Sequence, residues 1–501
     1  MKKIIMLVTT AVLLMPVFAF GAVTVGSNKE ILVNGKAFFP IMQWAQSRGS
    51  MATQKQYGFN TFVGQGDSST ALQWCDAARA QGMYGVPSWN SAQVDSVKNH
   101  EALMGWVFGD EPDLQSNAVL PSAIQTQYDD IKSRDPGHLA FLTLTAGFYS
   151  ELSLPAWMSG SDANYYEYPK YADCIGFDLY PIYGWCKPEW LPRMGKACDE
   201  LKNKYAKGTR PLYTWIECCR TSGKWCNNAS RGLPDDGPYD YEVKCQIWDA
   251  IAQGANAIGY FTHSWEPSYT QFAISTAQGE MLKAEHAKIT ALSDVLCSAD
   301  TAKTVTKSAK AVSAGNDGVI NIKAKEYLGN IYLIAVNIVN ITGAAETQQG
   351  TFNVPGLAGG TVAVYGENRS ITAAGTSFSD TFTKTDNVHI YVINGSPTTS
   401  GNNGTSSNPL VNIKAYPNPF KIEAGRTVKI TQISAPDVKV RIHDSIGNIV
   451  RELYEKDFNN LGFVQWDGKD TAGNNIPGGV YYYIAEDTSG NRKTGRIAVT
   501  K

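Results

Sequence analysis

The sequence predicts a multidomain chain: a (β/α)8 TIM barrel followed by two all-β sandwich domains. Three observations carry that expectation. From Glu30 to about Ser264, short apolar runs alternate with helical patterns, as in a parallel sheet with helical crossovers. From about Thr301 to Asn394 the period switches to alternating apolar and polar residues, with turns at Asn316-Asp317-Gly318 and Gly359-Gly360, as in antiparallel strands. The run Ser396 to Pro409 is almost purely Ser, Thr, Asn, Gly and Pro, a composition that builds no core and so reads as a linker. At 501 residues the chain has room for two to four domains. The expected division is a signal peptide over 1–22, the barrel over 23–297, a β-sandwich over 298–395, the linker over 396–410 and a further strand-rich domain over 411–501.

In chain order, Lys2 and Lys3 precede an apolar run from Ile4 to Phe20 that ends on the small residues Gly21 and Ala22, the order of a secretory signal. No later segment reaches 18 uninterrupted apolar residues, so no further membrane span is expected. Candidate barrel strands are Ala37 to Gln43, Thr61 to Gly64, Tyr84 to Pro87, Trp106 to Gly109, His138 to Thr143, Cys174 to Tyr180, Leu212 to Ile216 and Ala257 to Thr262. Helical patterns lie between them, among them Ser69 to Gln81, Ala118 to Ser133, Pro188 to Tyr205 and Tyr241 to Ala252. Eight strands with intervening helices fit the size of a (β/α)8 barrel. A doubly wound sheet would place a Gly-rich phosphate turn after an early strand, and none is present.

Composition narrows the function. A formal net charge of −2 with no concentrated basic stretch argues against a nucleic-acid partner. With 12 Trp and 25 Tyr the chain is rich in rings of the kind that bind sugar faces, although composition alone favours the plainer reading of a large aromatic core. Nine cysteines in an exported chain predict disulfides. Eight of them, Cys174, Cys186, Cys198, Cys218, Cys219, Cys226, Cys245 and Cys297, fall close together, Cys75 stands apart, and the odd count leaves at least one thiol free or intermolecular. No CxxC pair or matching histidine spacing supports zinc. No metal and no organic cofactor is expected.

The chemistry is expected where Gly105 to Pro112 (GWVFGDEP) turns from strand to loop. Trp106, Val107 and Phe108 read as a buried strand; Gly109 ends it, and Pro112 biases Glu111 away from helix. Asp110 and Glu111 should therefore sit at a strand end, where parallel α/β proteins keep their active groups. Pro211 to Glu217 (PLYTWIE) has the same build. The expectation is that Glu111 and Glu217 face each other across one barrel mouth. Retaining hydrolysis of a glycosidic bond uses two carboxyls about 5–5.5 Å apart, one protonated and one ionised. Further candidates for substrate contact at predicted strand ends are Gln43, Trp44, Gln65, Trp89, Asp178, Tyr180, His263 and Trp265. Tyr180 could donate to the nucleophile carboxylate or simply pack on Pro181. His263 reads more readily as a sugar contact or a satisfied interior histidine than as a general base. Cys218 and Cys219 are expected to tether the loop Arg220 to Tyr241 through Cys226 or Cys245. A thiol nucleophile is discounted because no histidine lies nearby in sequence.

Two stretches resemble known families. Asp110-Glu111-Pro112, Glu217, Trp265, the opening Val33 to Pro40 and the segment Ala250 to Phe261 resemble clan A glycoside hydrolases, a group that includes the family 42 β-galactosidases. That resemblance implies Glu111 as acid/base after strand four, Glu217 as nucleophile ending strand seven and an aromatic residue, Trp265, ending strand eight. Where the clan usually has Asn before the acid/base, this chain has Asp110, whose charge would raise the pKa of Glu111. In the last domain, Tyr416 to Phe420 (YPNPF), Ile442-His443-Asp444, Trp466 to Asp470 (WDGKD) and Gly479 to Tyr483 (GVYYY) resemble the immunoglobulin-like domain of flagellar hook-capping proteins and related C-terminal sorting tails. This implies export or attachment through secretion machinery or a cell-surface contact. The expectation is thus a secreted, retaining glycoside hydrolase with a carbohydrate substrate. A non-catalytic carbohydrate-binding surface protein, an adhesin on the same barrel, is the alternative.

Overall fold

The computed structural model describes residues 23–114, 118–152, 161–219, 237–311, 319–339, 347–394 and 410–500, with 328, 358, 368, 411–412, 424–425, 432, 434–437, 459–461 and 489–490 omitted. The predicted signal peptide, the linker short of Leu410 and most of the loop after Cys219 lie outside the described residues.

Eight parallel strands form one sheet: β1 (Ile41–Gln46), β2 (Thr61–Gln65), β3 (Tyr84–Val86), β4 (Gly105–Asp110), β5 (Leu139–Thr145), β6 (Cys174–Asp178), β7 (Leu212–Glu217) and β8 (Ala257–Phe261). Their order is β3-β2-β1-β8-β7-β6-β5-β4. Parallel bridges Gly85↔Leu103 and Ser88↔Val107 join the two outer strands, so the sheet closes on itself as a TIM-like barrel. Alternate residues point inward and fill it: Met42, Val63, Val86, Met104, Val107, Phe141, Tyr213 and Trp215 belong to one buried cluster. A small antiparallel sheet (Val23–Val25, Ile31–Val33, Lys36–Phe38) plugs the N-terminal end, contributing Val23, Ile31 and Val33 to the same cluster.

One expected boundary moves because of this plug. The first barrel strand begins at Ile41 rather than Ala37, since Lys36–Phe38 pairs with Ile31–Val33 and Pro40, lacking an N–H, separates the two strands. Strand one consequently runs past Gln43 to Gln46.

Helices α1 (Ala71–Ala80), α2 (Pro121–Arg134), α3 (Leu191–Glu200), α4 (Asp240–Ala252) and α5 (Thr276–Ala291) cover the outside. Their starts are encoded locally. Thr70 with Gln73, and Ser275 with Gln278, make capping boxes that satisfy otherwise orphaned N–H groups, and Pro121 takes the first turn of α2, where no donor is lost. Helix α4 is buried except for Asp240 and Lys244. One face lies on the barrel; the other meets the sheet that follows, where Ile247, Trp248 and Ile251 share a cluster with Tyr332, Ile334 and Val336.

That following part is all β. A three-stranded sheet (Thr306–Ala311, Gln348–Asn353, Ser377–Phe382) and a five-stranded sheet running from Ile320–Tyr327 to Arg369–Ala373 enclose Leu333, Phe352, Phe378 and Tyr391. Residues 414–500 repeat the plan, with three- and five-stranded sheets around Trp466, Val440 and Ile497. Lys429 of this last part lies 2.6 Å from Asp294, beside the barrel.

The expected disulfide framework is corrected. Cys75, Cys174, Cys198, Cys218, Cys219, Cys245 and Cys297 are free and buried, so no bridge ties Cys218 or Cys219 to Cys245. Of the described cysteines only Cys186 is disulfide-bonded. The remaining thiols pack as small apolar groups, and burial pushes those of Cys75 and Cys297 up to about 12. No helix among the described residues is long and apolar enough to cross a membrane.

Candidate functional site at the barrel mouth

The C-terminal end of β4 departs from regular strand geometry. Gly109 has φ +61° and Glu111 φ +49°, and the register against β5 slips between Val107 and Asp110. A left-handed glycine accommodates the extra residue of such a bulge. Glu111 occupies the same region at a cost that non-glycine residues ordinarily avoid, about 1–3 kcal/mol. Its N–H is held by the Thr143 carbonyl at 3.0 Å. Asp113, fully buried, fixes the turn from the other side: it accepts from the Thr145 N–H (2.9 Å), the Thr145 hydroxyl (2.6 Å) and the Tyr165 hydroxyl (3.1 Å). Burial pushes its carboxyl up to about 6, against those hydrogen bonds.

This geometry brings Glu111 to Asp178, which ends β6. Burial first, then the charge of Glu111 and a hydrogen bond with it, then Asp110 and Asp113, drive Asp178 well above the usual carboxylate range. An acidic neighbour of the same sign favours the protonated form of Asp178. Burial first, and then the charges of Asp178, Glu111 and Asp110, hold the Tyr180 hydroxyl well above its usual range. Asp110 is exposed at the rim; the protein around it, and then Glu111, push its carboxyl up to about 7.

Glu217 ends β7 but turns into a different environment. It is wholly buried. Its carboxylate accepts from the main-chain N–H of Ile182 (2.9 and 3.1 Å) and of Tyr183 (2.6 Å), and from the Gln246 amide on α4 (3.2 Å). Burial nevertheless pushes it up to about 8, helped by Glu242. Glu217 thus ties the 181–183 turn to α4.

Rings form the wall beside the carboxyls. Trp44 lies against Trp215, with centroids 5.2 Å apart, and Tyr180 against Phe261 at 5.0 Å. Phe261 stacks on Trp265 at 5.9 Å, and His263 on Tyr269 at 6.0 Å; Tyr269 is 57% exposed. Trp44, Tyr180 and Trp265 are half-buried and pack against the cluster of Tyr183, Cys219 and Phe261. Trp89, also half-buried, packs edge-on against Trp106 at 5.2 Å. His263 is buried, its Nε2 lies 3.2 Å from the Ala45 carbonyl, and burial lowers its pKa, which keeps it neutral at pH 7. Gln65 accepts from the Ser88 N–H at 2.8 Å and so braces β2 against the segment after β3.

Gln43 is a mid-strand residue rather than a strand end. It is fully buried and donates to the Thr262 hydroxyl at 3.0 Å. Sequence reasoning missed the amides that work with it. Gln46 donates to the Gln271 carbonyl (2.8 Å) and accepts from Gln54 (2.7 Å), and the Gln271 side chain reaches the Gly66 carbonyl (2.7 Å). The available signal was the run of polar residues Gln43, Gln46 and Ser47 following an apolar strand start. Among the described residues, the one group with metal-ligand spacing is Glu367, Asp386 and His389 in the first sandwich. Arg369 already stands among them, 2.7 Å from Glu367 and 3.3 Å from His389, so the cluster reads as an ion-pair network.

Residues 416–499 match the CHU_C type IX secretion signal domain. That domain marks an exported protein, secreted or attached to the cell surface. No curated protein matches the chain. Solved structures similar to it include a family 5 mannosidase from Rhizomucor miehei (12% identity, 56% of this chain and 100% of that chain, TM-score 0.39). Others are an α-amylase from Anoxybacillus (11% identity, 70% and 90%, TM-score 0.44) and the family 30 xylanase Xyn30A from Clostridium acetobutylicum (14% identity, 71% and 96%, TM-score 0.37).

Proposed function

We propose that this exported chain binds a carbohydrate at the barrel mouth and hydrolyses its O-glycosidic bonds, with Glu111 passing a proton to the leaving oxygen. The observation that carries the reading is the meeting of Glu111 and Asp178 at the ends of β4 and β6, with half-buried rings alongside. Departure of an alkoxide from an acetal is slow unless its oxygen is protonated as the bond breaks, and a positioned acid supplies about 10²–10⁴-fold. Asp178, whose proton affinity burial and its acidic neighbours raise, is the reservoir; Glu111 is the group that meets the substrate. The rings bind the apolar faces of a sugar and orient its acetal.

The retaining form of this reading has Glu217 attack the anomeric carbon. A nucleophile must be ionised and open on one side, whereas Glu217 is covered, bonded to three donor groups and pushed up to about 8. The geometry favours Glu217 as a positioning residue for the turn after Tyr180, with Asp110 as the exposed carboxyl left to activate water or contact sugar. The closure of Glu217 also favours a second reading, a barrel that binds glycan without cleaving it. The same proposal divides the chain into signal peptide (1–22), catalytic barrel (23–297), sandwich (298–395), linker (396–410) and export domain (411–501), with the secretion machinery as partner of the last.

The deciding experiment assays the wild type, Glu111→Gln, Asp178→Asn and Glu217→Gln on aryl glycosides and plant or microbial polysaccharides, with binding followed by calorimetry. Hydrolysis lost in Glu111→Gln with binding retained supports the enzyme. Binding without hydrolysis by the wild type across the panel supports the second reading. A Glu217→Gln variant that binds normally but turns over nothing, and is rescued by azide, returns Glu217 to the nucleophile's place.

A further inference from the structure

At the end of the barrel remote from Glu111, where the barrel meets the first sandwich, there is a recess of about 190 Å³ lined by three lysines from two parts of the chain. Lys202 comes from the turn that continues α3. Lys323 and Lys325 stand two residues apart on the strand Ile320–Tyr327 and so share a face. Asp300 pairs with two of them: it lies 2.5 Å from the Lys323 ammonium and 3.2 Å from that of Lys325. Lys325 also donates to the Ser298 carbonyl at 2.6 Å. The Lys202 ammonium has no hydrogen-bond or ion-pair partner among the described residues. It lies against Gly254, where a Cβ would come within 2.2 Å of its nitrogen and where φ is +98°, so the chain leaves this space open. Asn28 and Asn256 complete the wall.

Three ammonium groups, offset by Asp300 and more weakly by Asp199 near Lys202, leave a net positive charge in a concave, partly dehydrated place, where like charges repel more strongly than in open water. Burial and the neighbouring Lys323 lower the pKa of Lys202. Such an arrangement is unfavourable when empty and favourable around an anion, which exchanges repulsion for charge-assisted hydrogen bonds.

We propose that this recess binds a small oxyanion, either an inorganic phosphate-like ion or the carboxylate of a sugar acid, and that the bound anion staples the sandwich to the barrel. The inference is independent of the chemistry at the mouth.

The test is thermal unfolding of the full exported chain at pH 7 and fixed ionic strength in sodium chloride, sodium phosphate or sodium glucuronate, for the wild type, Lys202→Met and Lys202→Gln. For the wild type, Tm should rise by about 2–4 °C over chloride and saturate with the binding anion. Both variants should lose that rise, yet in chloride melt no lower than the wild type, because an unpaired cation has been removed. A rise with phosphate alone assigns an inorganic ion; one with glucuronate alone assigns a sugar acid. Equal anion effects in the wild type and variants, or none in any, would overturn the proposal. Should the variants fail to fold, calorimetric titration of the wild type with phosphate and glucuronate decides, and absence of saturable heat with both rejects the site.

Discussion

Asp110 stands where its charge adds to the proton affinity of Asp178, the neighbour of Glu111. Replacing it with Asn removes that charge, so Asp178 gives up its proton at lower pH, and the alkaline limb of the kcat/KM profile should move downward in Asp110→Asn. A limb that stays in place would show that Asp178 is not the proton's source. Glu217 makes an opposite kind of prediction, about stability. Glu217→Ala removes the buried carboxylate that accepts from the Ile182 and Tyr183 N–H groups, at about 1–3 kcal/mol for each hydrogen bond lost, and should lower the urea midpoint clearly. Glu111→Gln, at a half-exposed position, should barely change it. Because the folded-state pKa of Glu217 is raised to about 8, the folded protein holds a proton that the unfolded chain releases near pH 4–5. Its contribution is therefore fully present below that range and is lost as pH rises toward 8; Glu217→Gln should flatten the fall in stability between pH 5 and 8. Legibility ends at this scale. Gly109 and Pro112 frame Glu111 in the sequence, and Asp178 reads as a strand end, but which carboxyl meets which depends on the backbone at Glu111, a left-handed residue that composition and periodicity do not announce.

Among elements, β4 decides the site. Its first four residues are an ordinary buried strand, and the bulge at Gly109 advances the next two into the mouth. Gly109→Ala would place a methyl 3.0 Å from Leu142 Cδ1 and 3.3 Å from Ile124 Cδ1 in a φ region that alanine resists. A loss of about 1–2 kcal/mol by denaturant unfolding, together with loss of glycan binding, is expected; a variant with wild-type binding would show that the bulge does not position Glu111. The barrel strands were readable because each is a short apolar run ended by Gly, Pro or a polar residue, and the capping boxes at Thr70 and Ser275 were written in four residues each. Strand one was misplaced because Ala37 to Gln43 holds two strands of different sheets, and only Pro40 marks the seam. Helix α4 shows a further limit: its buried Glu242, Gln246 and Asp249 look like a solvent face in sequence, but Gln246 turns to Glu217 on the barrel and Asp249 to the sheet that follows. Asp249 is met by the amide of Asn321 at 2.7 Å.

For the whole molecule, the export domain should be separable in function from the barrel. Deleting residues 411–501 should retain the protein inside the cell, followed by fractionation, while the remaining chain keeps its affinity for glycan; the ion pair Lys429–Asp294, partly exposed, is worth too little to hold the barrel together. Glycan binding lost on deletion would make the last domain part of the site. Domain order and strand period were legible along the chain, whereas the state of the cysteines was not, since pairing depends on which side chains meet in space. That state gives the exported protein a history of its own. Seven thiols travel outward as reduced groups, sealed from oxidants by the same packing that shapes the core. Folded, the chain should leave a thiol reagent colourless at those seven positions; once melted in air, it should cross-link at random and fail to return unless a reductant is present. Its endurance outside the cell is then set by how rarely it opens, and a single opening without a reductant is enough to end its working life.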